Sequence, residues 1–119
     1  MREWNITCDL NYIDQHGRKQ IIHVSGCAVP AASASDEYPP IDSLYVIYWA
    51  NDPFSANSTH RPTFNSFLTK DSGDWQIGYI LHRNFTPQKS HFFDWLKDEI
   101  IALYEREMVI NEEVLQGLM

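Results

Sequence analysis

The chain has 119 residues, 44% of them hydrophobic, and carries 16 acidic against 9 basic side chains for a formal net charge of −7. That length and apolar content fit a single domain over residues 1–119 and exclude wholesale disorder. The acidic balance argues against binding nucleic acid through its phosphates, and no apolar run reaches the roughly 20 residues that span a membrane.

The opening Met1-Arg2-Glu3-Trp4-Asn5 has no apolar signal-peptide segment, so a cytoplasmic location is expected. Without secretion, the Asn-x-Ser/Thr triplets at Asn5, Asn57 and Asn84 read as chance matches. Trp4, Ile6, Cys8, Leu10 and Tyr12 alternate with polar residues, the period of a half-buried strand. Asp14-Gln15-His16-Gly17 is a turn in which glycine suits the left-handed closing position. Pairing Asp14 with Arg18 sets Leu10 against Ile22, Cys8 against Val24 and Trp4 against Ala28. Apolar then meets apolar, and a second strand runs from about Arg18 to Val29. The same register puts Cys8 and Cys27 on opposite faces, so the two form no disulfide.

Residues 30–43, with Pro30, Pro39 and Pro40, read as a long loop. Leu44 to Ala50 is a β-branched and aromatic run expected to be a central strand covered on both faces. Residues 51–63 are loop again. Phe64 to Thr69 reads as a short strand, Lys70 to Gly73 as a turn, and Asp74 to His82 as a further alternating strand. A helix then starts at Thr86-Pro87 or at Ser90, a favoured N-cap residue. Phe92, Phe93, Leu96, Ile100, Leu103 and Ile110 make its apolar arc, and Asn111-Glu112-Glu113 suggests a break near Ile110. The expected fold is α+β: an antiparallel sheet of four to five strands with a C-terminal amphipathic helix packed on one face.

From His91 to Met119 seven acids stand against Lys97 and Arg106. Asp94, Asp98 and Glu105 lie within about 40° of one another on the side away from the apolar arc. Positions four residues after them hold Asp98, Ala102 and Val109, so none gains an i,i+4 ion pair of roughly 0.2–0.5 kcal/mol. Trp95, Ile101 and Met108 flank this stripe off the arc. Together these six residues form the expected partner-binding surface, for a basic protein or a second copy in a homodimer.

No cofactor, metal or catalytic residues are expected. His16, His23, His60, His82 and His91 show no metal-ligand spacing, and the five glycines form no phosphate-cradling loop. His60-Arg61 and His82-Arg83 could converge on an anion. Tyr45, Tyr48, Trp49, Trp75 and Tyr79, with Phe64, could instead line a small-molecule pocket between sheet and loops. The order Trp75, Tyr79-Ile80, Asp94-Trp95-Leu96 and a terminal acidic helix resembles small acidic dimeric phage inhibitors of the anti-CRISPR kind. The likeness covers the last third of the chain, has no diagnostic motif and transfers no residue role. The resulting expectation is a non-enzymatic inhibitor, immunity or adaptor protein that occludes a basic surface, with a small-molecule binder as the alternative.

Overall fold

The computed structural model describes residues 3–31, 39, 41–50 and 63–117, with the side chains of Asp71 and of 109–117 left aside. In chain order the elements are β1 (Asn5–Ile13), β2 (Lys19–Val29), β3 (Ser43–Ala50), β4 (Phe64–Asp71), β5 (Asp74–Leu81), β6 (Asn84–Pro87) and α1 (His91–Gly117). The strands form one six-stranded antiparallel sheet in sequence order. The helix packs on one face of it, an α+β architecture with one strand more than the sequence suggested.

Local chemistry sets the turns. Asp14 Oδ1 accepts the N–H groups of His16 and Arg18 at 2.8 and 2.9 Å, and Gly17 takes φ 77°. The carboxyl is held below its usual range chiefly by the Arg18 N–H. This loop fixes the register Leu10 opposite Ile22 and Cys8 opposite Val24, as the apolar matching requires. Ser72-Gly73 and His82-Arg83 both have positive φ at each central residue, the two-residue pattern that suits the strand twist.

The second of those turns creates β6, which the sequence reading missed. His82-Arg83 lacks the usual Asn-Gly signal, and four residues are too few to show a period. Thr86-Pro87 closes this edge strand instead of opening the helix, a place where proline's missing N–H costs no inner ladder bond. Ser90 is the N-cap: Phe93 N–H donates to its Oγ at 3.1 Å. The helix then runs unbroken to Gly117, without the expected break near Ile110. Asn111 in mid-helix costs well under 1 kcal/mol, less than starting a fresh helix.

Alternation sorts the sheet residues by face. Trp4, Tyr12, Ile22, Val24, Leu44, Val46, Tyr48, Leu68 and Ile77 are buried with Leu96 and Ile100 of the helix, the latter two with no exposed surface. Each such side chain contributes roughly 1.5–3 kcal/mol. Tyr12 meets Phe92 and Trp95, whereas Trp4 meets Tyr104, so the helix runs opposite to β1. One polar chain crosses this core. Ser66 Oγ donates to Gln88 Oε1 at 2.8 Å, leaving Tyr48 to donate to Ser66 at 3.2 Å. Burial pushes the Tyr48 hydroxyl pKa up.

The other sheet face carries Val29, Ser43, Phe67 and Thr69, all buried, with Tyr45, Ile47 and Trp49 half-buried. The central strand β3 is thus buried on the helix side from Leu44 to Tyr48, with Ala50 exposed at its end, and only partly covered on the other. Cys8 and Cys27 occupy opposite faces as free thiols.

Candidate functional site

The helix exposes Asp94, Asp98 and Glu105 to solvent, and Asp94 also borders the cleft between the helix and β5. They are exposed because Leu96 and Ile100, roughly opposite them on the helix, are drawn into the core. None of the three has an ion-pair partner among the described residues. Asp94 and Asp98 therefore repel at i,i+4 by a few tenths of a kcal/mol. Their place in the first half of the helix, near its positive end, offsets part of that cost. Glu112 and Glu113 lie where side chains are not described.

Trp95, Ile101 and Met108 do not stand clear of the core. All three are half-buried and pack against it, Trp95 with its ring 4.8 Å from that of Tyr12 and 5.8 Å from that of Phe92. A helical wheel treats the contact as a narrow arc. A six-stranded sheet is broad enough for long side chains on both flanks of the helix to reach down onto it. The surface left for a partner is consequently an acidic ridge with half-exposed apolar edges, not a charged stripe between free apolar residues.

The five rings of the expected pocket are not brought together. Tyr48, Trp75 and Tyr79 point to the helix face, Tyr45 and Trp49 to the other. Tyr48 borders a notch of about 260 Å³ with Ile22, Phe64, Phe92 and Phe93. Trp75 lines a separate cleft between β5, β6 and the helix. Tyr45 lines a third hollow with Thr7, Ser25 and Cys27, and its ring packs against Phe67 at 4.9 Å. Tyr79 is 38% exposed and belongs to none of them. Most of loops 30–43 and 51–63 lies outside the described residues, as do His60 and Arg61. His82 and Arg83 form the β5–β6 turn.

One polar pair escaped the sequence reading. Asp9 and His23 are register partners across β1 and β2, and Asp9 Oδ1 accepts from His23 Nδ1 at 2.6 Å. His23 stacks on Trp49 at 5.3 Å, and its Nε2 is buried without a partner among the described residues. The signal was present, since pairing Asp14 with Arg18 already sets Asp9 opposite His23. The arrangement holds and orients an imidazole, but neither Ser25 nor Cys27 on the same face hydrogen-bonds to it. Burial raises the pKa of both thiols, the opposite of an activated nucleophile. Among the described residues no three potential ligands gather to hold a metal, and no helix is long and apolar enough to cross a membrane.

Comparison with family profiles, with curated proteins and with solved structures finds no match to this chain.

Proposed function

We propose that the protein is a small acidic interaction module of the cytoplasm, an inhibitor, immunity protein or adaptor, that occludes a basic surface on another protein. The observation that carries this reading is the exposed ridge of Asp94, Asp98 and Glu105, unpaired among the described residues, on the outer side of a helix anchored by Leu96 and Ile100. A rigid helix holds the three carboxylates in fixed register, so a basic partner meets them without first ordering a loop. Half-exposed Trp95, Ile101 and Met108 supply apolar contact at the edges of the ridge.

The same reading includes a homodimer. Ile13 and Ile21 are 54% and 44% exposed and neighbour each other on the face away from the helix, beside the free edge of β1. A second copy covering them leaves the acidic ridge open to the partner.

The test is capture of basic proteins from a host-cell extract by the wild type and by the triple variant Asp94→Lys, Asp98→Lys, Glu105→Lys. Because the three positions are exposed, the variant keeps its far-ultraviolet dichroism and melting behaviour while losing capture. Undiminished capture by a folded variant would refute the reading.

A further inference from the structure

Three of the chain's four lysines, Lys70, Lys89 and Lys97, surround Trp75, although they come from β4, the β6–α1 connection and the helix. Lys70 Nζ sits 5.8 Å from the centre of the indole ring. Lys89 and Lys97 line, with Trp75, a cleft of about 230 Å³ between the sheet and the first turns of the helix. Ile77 and Pro87 add apolar wall, and Asp94 adds one carboxylate. The Trp75 indole N–H is buried with no acceptor among the described residues.

We propose that this cleft binds a small aminocarboxylate, a free amino acid with an apolar side chain. The two lysine ammonium groups fit its carboxylate, Asp94 fits its ammonium, and Trp75, Ile77 and Pro87 fit the side chain. A simple anion leaves Asp94 repelling it, and a simple cation leaves both lysines doing so; a zwitterion satisfies all three charges. The volume lies below the roughly 300–1,000 Å³ of pockets for drug-sized molecules, which matches a metabolite of this size. The site is distinct from the small-molecule pocket expected from the sequence, sharing only Trp75 with it, and it shares Asp94 with the acidic ridge.

The test follows the four indole N–H resonances in a nitrogen–proton correlation spectrum, with Trp75 assigned by Trp75→Phe. Alanine, leucine and phenylalanine are titrated to about 20 mM, the range in which a weak millimolar ligand saturates. Leucine or phenylalanine shifts the Trp75 signal saturably and more tightly than alanine, while the core residue Trp4 stays unmoved. N-acetylphenylalanine, which lacks the ammonium, and phenylalaninamide, which lacks the carboxylate, each bind about tenfold more weakly, as does phenylalanine to Lys97→Gln. Absence of a saturable Trp75 shift with all three amino acids overturns the proposal. So does equal binding of phenylalanine and its two derivatives, or saturable binding of inorganic phosphate in place of the amino acids. An unchanged signal dispersion in Lys97→Gln shows that the variant is folded, so a loss of binding there is a loss of the contact.

Discussion

Gly78 shows how much one residue's neighbours decide. It sits in β5 between Phe67 of β4 and Pro87 of β6. A Cβ placed there strikes the carbonyl oxygen of Thr86 and the Phe85 ring, the latter at 2.7 Å. The glycine is required for space, since its φ is not among the positive ones. Overpacking of this kind costs about 1–3 kcal/mol, and backbone cannot yield as a flexible side chain can, so Gly78→Ala falls at the upper end. Urea denaturation should show the unfolding free energy lowered by that amount, seen as a lower midpoint with an unchanged slope; a change under about 0.5 kcal/mol would show that β6 does not lie against β5 as described. Nothing in the sequence announces this contact. Trp75, Ile77 and Tyr79 reveal β5 by their alternation, but the need for glycine comes from Phe85, on a strand that its own sequence hides. Asp9 and His23 are the reverse case, readable from the hairpin register and overlooked because charged and aromatic residues on an open face carry no periodic signal.

At the scale of elements, what was legible is what local chemistry decides. The β1–β2 hairpin follows from one turn and one apolar match, and the helix start follows from Ser90, one of the two starts that the sequence offers. Replacing Ser90 by alanine removes the acceptor for the Phe93 N–H at the helix start. The expected loss is about 1 kcal/mol, within the 0.5–2 kcal/mol typical of caps, and it should be recovered by Ser90→Asp. Thermal melts of the three proteins measure this; equal stability of wild type and Ser90→Ala would place the helix start elsewhere. The faces of the helix were legible only in part. The wheel assigned Leu96 and Ile100 correctly and put Asp94, Asp98 and Glu105 outside, both as observed. It misplaced Trp95, Ile101 and Met108 because reach depends on side-chain length and on the breadth of the opposing sheet, neither of which an angle records. The break expected at Asn111 failed for a related reason: a residue suited to start a helix is also tolerated inside one that is already formed.

For the molecule as a whole, the net charge of −7 separates the two associations proposed for it. Capture of a basic partner brings opposite charges together, so it weakens as salt shortens the Debye length from about 14 Å at 0.05 M toward about 4 Å at 0.5 M. Pairing of two copies brings seven negative charges near seven more, a repulsion that the same salt relieves. Its attraction comes from apolar side chains such as Ile13 and Ile21, which moderate salt does not weaken. The two equilibria must therefore move in opposite directions along one salt series. Sedimentation velocity should show the dimer fraction rising between those two salt concentrations, while capture of the basic partner falls at least tenfold. The triple lysine variant changes the net charge from −7 to −1, because each of three substitutions adds two charges, and so should dimerise with almost no salt dependence. A dimer that dissociates as salt rises would mean that charge pairs hold the copies together, and would overturn the apolar contact proposed at Ile13 and Ile21.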